Sequence, residues 1–187
     1  MGAIARWFGI GRDKPQERAG FTLYNAVVAA ARDPYLYTTL GVPDTLDGRF
    51  DMVGLHASLL IRRLRREAPP GPALAQAVFD AMFSDMDVSL REIGVSDLSV
   101  GKRVRAMWEA FHGRALAYER ALDVSDDSAL AAALARNVWR GGAAEPPGAA
   151  TSLARVARAQ DAHLATQPLA TLEAGQATFL PAAEAVK

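Results

Sequence analysis

The 187-residue chain lacks cysteine altogether. Without a thiol it can form no disulfide, thiolate nucleophile or zinc–cysteine site. It also lacks an excess of charge of either sign, because 21 acidic residues balance 21 lysines and arginines. A neutral chain has no general attraction for nucleic acid, so any charged recognition must come from local patches.

Long apolar runs are missing as well. The longest uncharged apolar stretch runs from Ala19 to Ala31, which is too short to span a bilayer. Residues 1–14 carry Arg6, Arg12 and Lys14 without the apolar run that a secretory signal requires. We therefore expect a soluble protein of a reducing compartment.

Strand-like alternation of apolar and polar residues is also absent, whereas helical spacing recurs along the chain. This pattern predicts an all-α fold, with about six or seven helices in a single compact domain around a central helical hairpin. We divide the chain into an amphipathic N-terminal segment (1–14), a helical domain (15–140), and a linker with peripheral C-terminal helices (141–187). The glycine- and proline-rich residues 141–148 mark that linker.

The predicted hairpin lies between residues 79 and 118. Apolar residues recur at spacings of three and four on each side of Gly94, whose type suits the end of a helix. Such stripes form helix cores, and methionine-rich surfaces also bind varied apolar helices, so we expect core packing for most of these residues. The stripes comprise Phe79, Met82, Phe83, Met86, Leu90 and Ile93, then Val104, Met107, Trp108, Phe111, Ala115, Tyr118 and Leu122.

Two further segments have open interpretations. Trp7 and Phe8 stand among cations, which fits a membrane-contact segment, a frayed terminus or a helix docked on the body. Four arginines end a predicted helix, where they either complement the helix dipole or form a docking patch for acidic lipid or a charged partner; they are Arg62, Arg63, Arg65 and Arg66.

Evidence for catalysis is weak. Glu109 and His112 have the Glu-x-x-His spacing of di-iron bundles, but neither His56 nor His163 repeats it. No glycine-rich phosphate loop is present, and no nucleophile lies beside a base in sequence. The sequence therefore predicts neither a metal site nor catalytic residues, and the alternative is a helical metal-dependent or lipid-modifying enzyme at the membrane surface.

Several segments together resemble the ubiquinol–cytochrome c chaperone family. The resemblance covers roughly Phe21 to Leu122 and leaves out the N-terminal segment and everything after Gly141. Its residues are Phe79-Asp80-Ala81-Met82-Phe83-Ser84-Asp85-Met86-Asp87, Leu90-Arg91-Glu92-Ile93-Gly94-Val95 and Asp97-Leu98-Ser99-Val100-Gly101-Lys102, preceded by Tyr24-Asn25, Asp51, Leu55-His56, Leu59 and Arg63-Leu64.

The resemblance implies an assembly factor for ubiquinol–cytochrome c reductase (complex III) that binds newly made cytochrome b. It implies no catalysis and no cofactor. Because no Arg- and Ser-rich transit segment is evident, we expect a bacterial protein in the cytoplasm, at the cytoplasmic face of the inner membrane. Mitochondrial members act with a small partner protein and near the ribosomal exit, and the residues of this chain do not tell whether it does either. We expect no nucleic-acid binding and no small-molecule substrate.

A chaperone for a membrane protein needs an adaptable surface for apolar segments. We expect Met82, Phe83 and Met86 to shape a groove or its floor at the hairpin. We expect the charged residues around them to form a polar surface that recognises the client; they are Asp85, Asp87, Arg91, Lys102 and Arg105.

Overall fold

The computed structural model describes residues 14–140 and 144–187, and every regular element within these ranges is an α-helix. This confirms the predicted all-α fold in a single compact domain. Trp7 and Phe8, predicted to contact a membrane, lie outside the described residues. The helices are α1 (Lys14–Ala31), α2 (Pro34–Thr38), α3 (Leu46–Arg65), α4 (Gly71–Glu92), α5 (Asp97–Leu122), α6 (Ser128–Val138), α7 (Ala149–Ala165), α8 (Leu169–Glu173) and α9 (Ala182–Ala185).

Helix α3 is the centre of the fold. It packs against α1, α4, α5 and α7, and it contributes buried side chains on almost every turn. Thr45 caps its first turn by accepting a hydrogen bond from the backbone N–H of Gly48 at 3.1 Å. Leu55, Leu59 and Leu60 are at most 1% exposed, as expected of a helix surrounded by others.

Helices α1 and α4 cross at unusually close range. A Cβ placed on Gly20 would lie 2.5 Å from the Cβ of Ala77 and 2.7 Å from its carbonyl carbon. The absence of a side chain at Gly20 therefore lets the two helix backbones approach. A second tie between the same helices is the phenol of Tyr24, which donates a hydrogen bond to Asp85 Oδ2 at 2.7 Å.

The predicted hairpin is present as α4 and α5. Gly94 has a left-handed backbone (φ 85°), and the N–H groups of Gly94 and Val95 bond back to the carbonyls of Arg91 and Leu90, both at 3.0 Å. This arrangement closes the end of α4 as a Schellman motif and turns the chain into α5. The prediction that the first helix of the hairpin ends at Gly94 is therefore confirmed.

The C-terminal helices differ from the expectation that they are peripheral. Leu153, Ala154 and Val156 of α7 are at most 1% exposed and belong to the same core as α3. The buried alanines of α7, among them Ala150 and Ala157, let this helix pack closely against its neighbours. The division of the chain near residues 14 and 140 stays a prediction.

Two buried glutamines, one in α7 and one just after its end, hold the irregular segment before α9. The amide of Gln160 donates to the carbonyl of Leu180 (2.7 Å) and accepts from its N–H (2.9 Å). The amide of Gln167 does the same with Thr178, at 2.8 and 3.0 Å. Each side chain thus satisfies both backbone groups of one residue, in a region where an unpaired polar group would be costly.

Candidate functional site

A groove of about 720 Å³ runs between α3, α4 and α5 and opens to solvent. We call it the interhelical groove. Its two arginines come from the C-terminal half of α3, and its apolar lining comes mainly from α4 and α5. The residues that matter for its chemistry are Arg62, Arg65, Phe79, Trp108, His112 and Leu116.

Aromatic rings form one wall of the groove. Trp108 and His112 stack with ring centroids 4.2 Å apart and planes 26° apart. The ring of Phe79 lies edge-on to that of His112, with centroids 5.7 Å apart, and is tilted against that of Phe111, with centroids 5.8 Å apart. Because Trp108 and His112 are four residues apart on α5, the helical period places them on one face. This wall can pack against an apolar or aromatic group of a partner.

The α3 side of the groove is basic. Arg62 is only 6% exposed; its Nη2 binds Asp123 at 2.9 Å and its Nε binds Asp161 at 3.2 Å. Its Nη1 makes no hydrogen bond and lies 3.9 Å from the carboxylate of Glu119. Hydrogen bonds from Arg62 and then Arg66 lower the pKa of Asp123 below its usual value. The basic cluster at the end of α3 is therefore partly a structural ion-pair network and partly groove lining.

The three apolar residues proposed to shape the groove occupy the core instead. Met82, Phe83 and Met86 are 0%, 4% and 7% exposed, and none of them lines the groove. Phe83 supports two lining residues from behind: the centroid of its ring lies 4.7 Å from that of Phe79 and 6.0 Å from that of Phe111. All three belong to the buried core of the protein, so the methionine stripe is core packing.

The five charged candidates are distributed around the hairpin rather than gathered in one place. Arg91 bridges Asp87, at 2.6 Å, and Asp97 across the α4–α5 connection. Asp85 faces α1, where it accepts the hydrogen bond from Tyr24. Arg105 pairs along its own helix with Glu109 at 3.0 Å, and Lys102 is exposed.

A buried ion cluster joins α3, α5 and the segment just after α6. The carboxylate of Asp51 has a 2% exposed side chain and binds both Arg114 and, at 2.6 Å, Arg140. Burial raises the pKa of Asp51, while the two arginines oppose this rise. The phenol of nearby Tyr118 is also buried, which raises its pKa to about 12. The cluster fixes the position of α5 and hence of the groove.

The Glu-x-x-His pair does not assemble a metal centre. Glu109 accepts a hydrogen bond from Arg105, and His112 belongs to the aromatic wall. Within the part of the chain that the structure describes, no three His, Asp or Glu side chains lie close enough together to hold a metal ion.

Two residues of the groove were visible in the sequence without being recognised as its lining. The sequence analysis places Trp108 in a core stripe and treats His112 as half of a Glu-x-x-His pair or as a partly packed histidine. Their spacing of four residues on a predicted helix was the available signal, but it could not show that this face of α5 opens toward solvent.

The chain is thus an all-helical, single-domain protein with an open groove beside its central hairpin. The sequence model of the ubiquinol–cytochrome C chaperone family matches residues 38–179. The chain belongs to this family, and the match extends well beyond Leu122, where the resemblance in the sequence analysis ends.

Characterised relatives and a solved structure agree with this assignment. The chain is 26% identical over 120 residues to ubiquinol-cytochrome-c reductase complex assembly factor 1 of Xenopus laevis, covering 64% of this chain and 60% of that protein. The mouse protein of the same name is 26% identical over 122 residues, or 65% of this chain and 40% of that protein. The chain therefore spans about half the length of these relatives. The crystal structure of the Cbp3 homolog from Brucella abortus superposes with a TM-score of 0.80 at 37% identity, covering 91% of this chain and 93% of that one.

Proposed function

We propose that this protein is an assembly chaperone that binds newly made cytochrome b and promotes the biogenesis of ubiquinol–cytochrome c reductase. It acts without catalysis and without a cofactor of its own, at the cytoplasmic face of the inner membrane. The relatives named above are assembly factors of that complex. Among the described helices, none has the length and hydropathy needed to cross a bilayer, so membrane contact by these helices would be peripheral.

The observation that carries this proposal is the interhelical groove. A client segment awaiting assembly exposes apolar surface, and a groove of about 720 Å³ with an aromatic wall can cover part of it. Leu116 lines this groove and is 49% exposed, so it is available for contact. Helix-in-groove recognition uses apolar anchors of this kind.

Charged residues at the groove and hairpin would fix the register of the client. Arg65 is an exposed groove-lining cation, and Glu119 lies across from Arg62. Around the hairpin, Asp87 and Lys102 offer opposite charges on α4 and α5. Rim charges of this kind contribute specificity and association rate more than affinity.

The groove is tested with two matched apolar-to-acidic variants. Leu116 and Val124 are 49% and 53% exposed, but only Leu116 lines the groove. We expect Leu116→Asp to reduce co-purification of cytochrome b in detergent, while Val124→Asp retains it. Equal capture by both folded variants would reject the groove as the client site.

The hairpin charges are tested separately by reversing them. We expect Asp87→Lys and Lys102→Glu, singly and together, to weaken capture of cytochrome b in detergent. Asp44→Lys is the control, because Asp44 pairs with Arg49 in an exposed ion pair remote from the hairpin in sequence. Unchanged capture by the folded double variant would show that these charges do not belong to the client-binding surface.

A further inference from the structure

The polar end of the interhelical groove contains a buried guanidinium group with one nitrogen that lacks an acceptor. Arg62 is 6% exposed, and its Nε and Nη2 are held by Asp161 and Asp123 at 3.2 and 2.9 Å. Within the ranges 14–140 and 144–187, no atom accepts a hydrogen bond from its Nη1, which is shut off from solvent. A buried donor without an acceptor is costly, so an oxygen atom of a bound partner would be stabilised at Nη1.

Glu119 lies over this nitrogen without forming a hydrogen bond to it. Its carboxylate is 3.9 Å from Nη1, beyond hydrogen-bond distance, and 37% of its side chain is exposed. So long a contact holds an exposed side chain weakly. Glu119 can therefore turn toward solvent and give an entering oxygen access to Nη1.

The charges around Nη1 favour a neutral oxygen over a carboxylate. Asp123 and Asp161 already bind Arg62, and Glu119 supplies a third carboxylate nearby. A further carboxylate at Nη1 would be repelled by these three acids. A carbonyl oxygen would accept the same hydrogen bond without adding a full charge.

The rest of the groove fits an apolar helix. Trp108 and Glu119 lie eleven residues apart on α5, so the aromatic wall and the polar end are separated by roughly 16 Å, or about three helical turns. The lining also includes Ala75, Gly113 and Ala115, whose small size lets the backbone of a partner helix come close.

A helix offers free carbonyl oxygens at one end. Its interior carbonyls are bonded within the helix, whereas the last four have no partner there. The same end carries the negative pole of the helix dipole, which is a partial charge and not a full one. A helix C-terminus thus presents the neutral acceptor that the surroundings of Arg62 favour.

We propose that Arg62 is a specificity-determining residue of the groove, whose Nη1 donates a hydrogen bond to a free carbonyl at the C-terminal end of an apolar client helix. The body of that helix lies along the groove toward Trp108. The direction of the bound client helix is therefore fixed. This inference rests on the proposed function, because the occupant is the client segment.

Two helix-forming peptides of alanine and leucine test the proposal on the full chain. Both are acetylated and have about 12 residues, or three turns; one ends in a carboxamide and the other in a carboxylate. By calorimetry in detergent, we expect the carboxamide to bind about tenfold more tightly, because the carboxylate is repelled by Glu119. Equal affinities, tighter binding of the carboxylate, or binding of neither peptide would overturn the proposal.

A matched pair of variants tests the cause of this preference. Glu119→Gln removes the charge near Nη1 and should reduce the preference to less than about threefold. Glu109→Gln is the control, because Glu109 is on the same helix but pairs with Arg105 and does not line the groove; it should keep the tenfold preference. An equal preference in both variants would contradict the role given to Glu119.

Thermal unfolding of the same two variants tests the simplest alternative. If Glu119 itself satisfies Nη1 in solution, Glu119→Gln should lower Tm much more than Glu109→Gln does, and that result would overturn the proposal. We expect similar small changes in both, since neither carboxylate is buried.

Nitrogen-15 NMR of the arginine side chains observes the proposed bond directly. The signals of Arg62, assigned by their absence in Arg62→Lys, should respond to the carboxamide peptide at Nη1 and stay unchanged at Nη2, which Asp123 holds. No response at Nη1 would refute the bond.

This inference and the proposed function fail in distinguishable ways. If Leu116→Asp abolishes capture of cytochrome b while the peptides show no preference, only the role of Arg62 is rejected. Equal capture by Leu116→Asp and Val124→Asp would instead reject the groove as the client site.

Discussion

The close crossing of α1 and α4 makes a specific prediction about Gly20. In Gly20→Ala, the new methyl group would lie 2.5 Å from the Cβ of Ala77 and 2.7 Å from its carbonyl carbon. With the new methyl group this close to Ala77, the backbones of α1 and α4 cannot both stay in place. Because both atoms belong to a helix rather than to the end of a flexible side chain, α1 must move away from α4.

Two opposing effects determine the size of the change. Alanine is favoured over glycine within a helix by about 1 kcal/mol. Forcing an additional carbon into a packed interface costs typically about 1–3 kcal/mol. Since the contact is with backbone, we take the upper part of that range and expect a net destabilisation of about 1–2 kcal/mol. For a chain of this size, this corresponds to a fall in Tm of roughly 2–8 °C.

Gly113 supplies the control. It also lies inside a helix, but a Cβ built there meets nothing within 4 Å. In Gly113→Ala, only the greater helix propensity of alanine should act, so we expect Tm to rise by roughly 1–4 °C. Thermal unfolding followed by circular dichroism, together with chemical denaturation, measures both variants under the same conditions.

A double variant identifies the cause. Ala77→Gly removes one of the two clashing atoms, so Gly20→Ala/Ala77→Gly should lose less stability than the sum of the two single changes. The reasoning about this crossing would be refuted if Gly20→Ala stabilised the protein as much as Gly113→Ala does. Additivity in the double variant would likewise show that the two positions are not in contact.

Three further predictions concern the buried groups. Asp51→Ala should destabilise the fold by about 3 kcal/mol in denaturant titrations, because Arg114 and Arg140 would lose the buried carboxylate that they share. Burial lowers the pKa of His56, so an unfolded chain takes up a proton at about pH 6.5, before the folded one does. The free energy of unfolding should therefore fall as the pH drops from about 6.5 toward about 5. His56→Gln should make this dependence of stability on pH weaker. Leu153→Ala should cost about 2–5 kcal/mol, since Leu153 is 0% exposed; a loss below 1 kcal/mol would support a peripheral α7.

The helical spacing of apolar residues was sufficient to predict the fold class and the hairpin. Gly94 was predictable because a helix C-terminus needs a left-handed residue, which glycine adopts without strain. Spacing alone could not show which stripe is buried. Met86 of α4 and Trp108 of α5 have equivalent patterns, yet Met86 is in the core and Trp108 lines the groove, because only the packing of α3 against both helices decides this.

The site was harder to predict than the fold for the same reason. The interhelical groove combines residues from Ser58 to Leu122, and its shape depends on how far α4 and α5 diverge. The charged residues alone did not predict the site either. Asp85 is proposed for client recognition, but it also accepts the hydrogen bond from Tyr24 that joins α4 to α1. The glycine- and proline-rich residues 141–148 similarly suggested a linker to peripheral helices, whereas α7 beyond them is part of the core.

The paired amides of Gln160 and Gln167 bear on how the end of this chain can vary over evolution. They bind backbone atoms of Leu180 and Thr178, so the attachment does not depend on the side chains at those two positions. Many residue types could replace Thr178 or Leu180 without loss of these four hydrogen bonds, and a change at Thr178 would lose only the contact of its hydroxyl with His163 at 3.0 Å. Proline is the exception, because it has no N–H to donate and would leave a buried amide oxygen unmatched.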